Sequence, residues 1–189
     1  MSRKSFENFG LLARESTNYT QIAGRYEFQK EAESLVVNDV LQKLKLNPSD
    51  HCLDIGCGTG NILLPLSFFV KSIVGIDNSH VIKAFTKRIS IELTNIELIS
   101  GNFLDVDIRE TFDKILVYSV IHYLESKDEV FEFINKASKL LKPGGKLLVA
   151  DLPNHSKKKR FKSTTHGKEF EKEWEKITAN QSTPKHKNI

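Results

Sequence analysis

The sequence predicts an α/β fold built on a doubly wound, mostly parallel sheet. Three observations carry that expectation. Short apolar runs alternate with helix-like segments along most of the 189 residues, the pattern of strands joined by crossover helices. In Leu53-Asp54-Ile55-Gly56-Cys57-Gly58-Thr59-Gly60 an apolar run reaches an acid, and three glycines then fall at every second position. That is how a strand turns tightly into a helix N-terminus with its backbone open to a nucleotide-like ligand. A second acid, Asp77, ends the next apolar run, Ile73-Val74-Gly75-Ile76. An acid about 20 residues after the glycine turn is placed to accept hydrogen bonds from a ribose diol.

The elements follow in order. Residues 27–46 read as a helix with Leu35, Val37, Val40, Leu41 and Leu44 on its apolar side, ended by Asn47-Pro48-Ser49-Asp50. The first strand is 51–55. The helix after the glycines starts near Asn61 and contains Pro65, which removes a helical hydrogen bond and predicts a kink or an early break. The second strand is 72–77. Ser79 is the expected N-cap of a helix running to about Ser90. Strands three and four are 96–99 and 114–118. Ser126-Lys127-Asp128-Glu129 has the capping-box pattern and opens a helix to about Leu141. Lys142-Pro143-Gly144-Gly145 stops it, and 146–150 is the fifth strand. Phe170, Trp174 and Ile177 recur at helical spacing. The polar residues 180–189 carry no strand pattern and are expected to be disordered.

Composition agrees with one enzyme-sized unit. Charged residues make up 28% of the chain, and no apolar run reaches the length of a membrane span. The N-terminus lacks the apolar core of a signal peptide. Cys52 and Cys57 match no common metal spacing, so no metal is expected, and the two read as reduced structural thiols of a cytoplasmic protein. The net charge of +4 is uneven. From His155 onward there are ten Lys or Arg and four Glu, a net of +6, which leaves −2 for the first 154 residues. The sheet region is therefore not a basic nucleic-acid domain.

The spacing from Asp54 to Gly60, with Asp77 after it, resembles the class I S-adenosylmethionine-dependent methyltransferases. The resemblance covers about Tyr19 to Asn154. The family's first motif is an acid, one residue, then Gly-x-Gly-x-Gly. A dinucleotide dehydrogenase more often has Gly-x-Gly-x-x-Gly. The distinction makes physical sense, because the methyl donor has no pyrophosphate to seat. It carries a sulfonium and an amino-acid end, for which a nearby acid is useful. The resemblance implies a Rossmann-like sheet of order 3-2-1-4-5 and S-adenosylmethionine as cofactor. It places donor contacts at Asp54, Gly56, Cys57, Gly58, Gly60, Asp77, Asn78, Asn102, Phe103 and Ser119. Where Asn102 stands the family often has an acid; an amide can still accept from the adenine amine and donate to a ring nitrogen. Phe103 reads equally as an adenine contact and as core. No strand pattern follows residue 150, so the family's last antiparallel strand pair is expected to be missing.

The chain thus divides into an N-terminal helical or lid segment (1–46), a donor-binding core (47–154), and a tail (155–189) with a basic loop, a helix and a disordered end. Tyr19 and Tyr26 read either as an aromatic lid or as packing tyrosines. No catalytic residue is assigned. His122, just after strand four, has a suitable pKa for a general base but reads as well as plain structure. The segment from His155 to about Lys168 reads as a mobile loop at the mouth of the site, its basic residues Lys157 to Lys162 taking either an anionic acceptor or only solvent. The segment after strand four lacks the Asn/Asp-Pro-Pro-Tyr signature of base amine methylation and any cysteine for attack on a pyrimidine. The expected partner is a small molecule, anionic or sugar-like, and neither nucleic acid nor membrane. Three alternatives stay open: an RNA or protein methyltransferase using the basic tail, a non-catalytic donor-binding module, and a nicotinamide-dependent oxidoreductase. The oligomeric state is not legible.

Overall fold

The computed structural model describes residues 3–23, 30–89 and 93–178. Three helices lead in: α1 (Arg3–Glu15), α2 (Tyr19–Ile22) and α3 (Lys30–Leu44). Five strands then alternate with helices: β1 (His51–Ile55), α4 (Leu63–Ser67), β2 (Ser72–Asp77), α5 (Ser79–Arg88), β3 (Ile96–Ser100), β4 (Phe112–Tyr118), α6 (Lys127–Lys139) and β5 (Leu141–Ala150). Helices α7 (His155–Lys162) and α8 (Thr165–Thr178) close the described chain. The strands form one sheet of order β3-β2-β1-β4-β5, and every pairing is parallel. Among the described residues after Ala150 there is no strand. The tail 180–189 and Tyr26 lie outside the described residues.

Alternation along the strands loads both faces of the sheet. Leu53, Ile55, Val74, Ile76, Ile115 and Val117 pack with Phe133 and Ala137 of α6. Cys52, Ile73 and Leu116 point the other way, against Val40 and Leu44 of α3, Leu63 and Leu66 of α4, and Phe85 of α5. A third cluster joins Phe9 of α1 and Ile22 of α2 to Val81, Ala84 and Tyr123. It seats the N-terminal helices on the carboxyl-end edge of the sheet, with the Phe9 ring edge-on to Tyr123 at 5.1 Å.

Several local expectations are corrected. Asn78, not Ser79, caps α5: its side-chain oxygen accepts from His80 N at 2.9 Å. Leu35 is exposed, because the buried stripe of α3 is set by Val40 and Leu44, with Val36 and Val37 packed beside them. The helix with Pro65 does break early, after only five residues. Helix α6 ends at Lys139, and Lys142 to Gly145 form an irregularity inside β5: pairing jumps from Phe112↔Leu141 to Lys114↔Lys146. Gly144, at φ +77°, takes the left-handed turn there. The basic segment 155–162 is a helix rather than a loop, capped by the Asn154 side chain, which accepts from Lys157 N. Water screens its charges, and Phe161 anchors it on Phe170 of α8. No described helix is long and apolar enough to cross a membrane.

Asn78 does two jobs. Besides capping α5, its amide donates to Phe6 O of α1 at 3.0 Å. Asn78→Ala is expected to cost about 1–2 kcal/mol and to make α1 more sensitive to limited proteolysis. An unchanged melting temperature would show that neither bond matters.

Candidate functional site

The carboxyl ends of β1, β2 and β4 meet at the glycine turn. Gly56 N and Cys57 N both donate to Ile76 O, at 2.8 and 3.2 Å, which pins the turn to the end of β2. Gly56 sits at φ +80°, and a Cβ there would lie 2.4 Å from Val120 Cγ2. Only glycine lets the backbone pass at that point. Thr59 is fully buried and donates to Tyr19 O at 2.8 Å, so the turn is tied to α2 as well.

Asp77 closes the turn from the β2 side. One carboxylate oxygen accepts from Gly58 N at 2.8 Å and the other from Asn78 N at 2.6 Å. Burial pushes its pKa up to about 6, against the pull of those two amides. Each oxygen keeps a further lone pair for a ligand hydroxyl.

Asp54 is different. It is 2% exposed, and among the described residues no hydrogen-bond donor reaches its carboxylate. Burial first, and the nearby Asp77 second, push its pKa up to about 8. It borders a cavity of about 400 Å³, together with Gly56, Cys57, Gly58 and Tyr118. Arg88 borders the same cavity, held by Thr59 O and Asn61 Oδ1. A buried acid with no donor among the described residues, at the wall of a cavity, ionises only at a cost unless a cation joins it.

The other predicted positions are more committed to the protein. Cys57 is buried in the turn and its thiol is pushed up by burial. The Asn78 side chain is taken by His80 N and Phe6 O. Asn102 accepts from Leu104 N at 3.3 Å. Phe103 is core on one side, its ring tilted against Phe133 at 4.8 Å, and borders a cavity on the other. That cavity is only about 20 Å³, and Phe6 of α1 lines it. Ser119 stands at φ +61° and donates to Asp151, itself at φ +58°, at 2.6 Å. The two left-handed residues cross-link the ends of β4 and β5. His122 is buried beside Tyr123 and borders none of the three cavities around the turn, whereas Tyr118, Ser119 and Tyr123 do.

Sequence reasoning missed Asp151, Arg88, Phe6 and Lys136. Asp151 had a signal, an acid closing an apolar strand, as at Asp77. Lys136 had none: it reaches from α6 to Leu104 O and Val106 O, at 3.0 and 2.6 Å, and lies 5.1 Å from the Phe103 ring. It thereby fixes the loop that carries Asn102 and Phe103. No group of three metal-ligating side chains occurs among the described residues.

Comparison with known proteins adds an independent finding. A family model described as a methyltransferase domain matches residues 46–187, well past the motif-bearing part. A relative in Alkaliphilus oremlandii, described as an uncharacterized methyltransferase, is 30% identical over 135 residues, covering 70% of this chain and 56% of its own. A sterol 4-C-methyltransferase of Caenorhabditis elegans is 27% identical over 142 residues, covering 71% of this chain and 41% of its own. The chain therefore spans about half the length of the curated relatives it matches. Among solved structures, the Haemonchus contortus phosphoethanolamine N-methyltransferase 1, in complex with phosphoethanolamine and S-adenosylhomocysteine, superposes with a TM-score of 0.67. It shares 22% identity and covers 77% of this chain and 31% of its own.

Proposed function

We propose, from the premise that this chain belongs to the methyltransferase-domain family and has its class I fold, that it uses S-adenosylmethionine to methylate a small anionic molecule. The observation that carries the donor reading is Asp54, a buried carboxylate with no donor among the described residues, at the wall of a roughly 400 Å³ cavity. The residues fit the donor. Asp54 would meet the ammonium of its amino-acid end, near the sulfonium. The glycine turn leaves room for close backbone approach. Asp77 has lone pairs left for ribose hydroxyls, and Asn102 stands near the adenine edge. The one tight place is the small space beside Phe103, where α1 must shift to admit a purine.

When bound, the donor supplies a methyl group already activated on a positively charged sulfur. The chain's task is then to bind, orient and exclude water. Asp54 and Asp77 hold the donor from two sides, and the Ser119–Asp151 link fixes the edge next to it. The acceptor reading rests on the small-molecule acceptors named for similar proteins. Two buried free thiols suit a reducing compartment such as the cytoplasm.

Asp77→Ala tests the donor reading. Calorimetry with S-adenosylhomocysteine is expected to show affinity weakened by about 1–3 kcal/mol, the scale of lost charged hydrogen bonds. Unchanged affinity would remove Asp77 from the ribose role.

A further inference from the structure

Helix α7 carries charge that neither the fold nor the donor site uses. Lys157, Lys158, Lys159, Arg160 and Lys162 are five cations in eight residues, with no acid among them. Every residue of α7 is exposed, so these side chains hold no core together. They also work against the helix. Lys157 and Lys158 sit in its first turn, where the macrodipole favours acids. Lys157 and Arg160, Lys159 and Lys162, and Lys158 and Lys162 are like-charged neighbours one turn apart. Among the described residues, Lys162 pairs with Glu171 of α8, and no acid is paired with the other four. The Asn154 cap and the Phe161–Phe170 contact hold the helix, but no acid among the described residues neutralises those four cations, and their compensation is left to a partner.

That compensation must be anionic, and its shape is constrained. Helix α7 follows the carboxyl end of β5, and in a parallel sheet that end shares an edge with the Asp54 to Gly60 turn. The cations are spread around the whole of a short helix instead of lining a groove that could track a nucleic-acid strand. The aromatic ring present, Phe161, is engaged edge-on by Phe170 at 5.5 Å and His166 at 6.2 Å, so its face is not open for base stacking. Just before the helix stands an exposed apolar group, Leu152 at 54%. Lysine stems with a neighbouring apolar side chain, on a segment too short to span, make a surface that settles into headgroups.

We propose that α7 docks this protein on an anionic lipid surface, with the donor-site edge of the sheet turned toward the headgroups. Attraction comes from Lys157, Lys158, Lys159 and Arg160, and Leu152 adds apolar contact at the boundary. The proposal does not depend on methyl transfer, because docking needs neither donor nor acceptor. It extends to peripheral contact a chain in which no described helix crosses a membrane.

The test is co-sedimentation of the whole chain with phosphatidylcholine vesicles, pure or containing phosphatidylserine. Binding is expected only to the anionic vesicles, and it should fade as salt shortens the screening length. The variant Lys157→Gln, Lys158→Gln, Lys159→Gln, Arg160→Gln keeps good helix formers at exposed positions, so its melting temperature should match the parent. It is expected to partition at least about tenfold less. Equal binding to neutral and anionic vesicles, or an unchanged variant, would overturn the proposal. So would single-stranded RNA that binds the protein more tightly than anionic vesicles do at equal salt and loses that affinity in the four-residue variant, since α7 would then be a nucleic-acid surface.

Discussion

Asp54→Asn is expected to remove most of the pH dependence of the empty protein's stability and to weaken donor binding by about 10- to 100-fold. The sign follows from the direction of the shift. The folded-state pKa of Asp54 is raised from 3.8 to about 8, by burial and then by Asp77. The folded state therefore holds this proton more tightly than the unfolded chain. The resulting stability is complete below pH 4 and is lost as pH rises through about 8. Linkage of one proton in a chain of this size corresponds to a melting temperature falling by about 3–5 °C per pH unit across that window. The amide of the variant cannot ionise, so the slope should shrink to what Asp77, raised to about 6, contributes between pH 4 and 6. Donor affinity should run the other way. A ligand ammonium selects the ionised carboxylate, so in the parent donor affinity rises with pH up to about 8, by at most about tenfold per unit. In the variant that rise should be absent. Thermal melts across pH, with and without S-adenosylhomocysteine, check both halves.

Gly60→Ala is expected to destabilise the chain by about 3 kcal/mol or more. Gly60 stands at φ +81°, and a Cβ there would lie 2.2 Å from Phe85 Cε2 and 2.3 Å from its Cζ. Phe85 is fully buried between α5 and the sheet, so its ring has nowhere to go. Strain and overlap act together, and the turn that carries Gly58 N to Asp77 is the part that must yield. A melting temperature lower by about 6–12 °C follows for a chain of this length. A drop of less than about 3 °C would show that the turn has slack that the geometry denies.

The strands were legible because interior parallel strands are nearly continuous apolar runs, and here two of them end in acids that matter. Pro65 announced the short α4, and Ser126 and Glu129 announced α6: Ser126 Oγ accepts from Glu129 N at 3.1 Å, while Glu129 reaches back to Glu125 N. Other features depend on tertiary contact and left no local trace. Lys136 finds carbonyls about 30 residues away. Ser119 takes a left-handed backbone without being glycine, because Asp151 holds it from the next strand. Phe6 and Phe9 lie about one turn apart on α1, one over the small cavity and one against Tyr123, and only the docking of that helix shows why. Reading α7 as a loop came from weighing repulsion without the Asn154 cap and the Phe161–Phe170 contact that stabilise it.

The most direct measurement is calorimetric titration of the whole chain with S-adenosylhomocysteine and, separately, with NAD, in two buffers of different ionisation enthalpy at neutral pH. The expected result is saturable one-site binding of S-adenosylhomocysteine with release of up to about one proton, and no heat with NAD. A folded chain that binds NAD, or that takes up S-adenosylhomocysteine without releasing a proton and equally well as Asp54→Asn, would contradict a donor site built on Asp54.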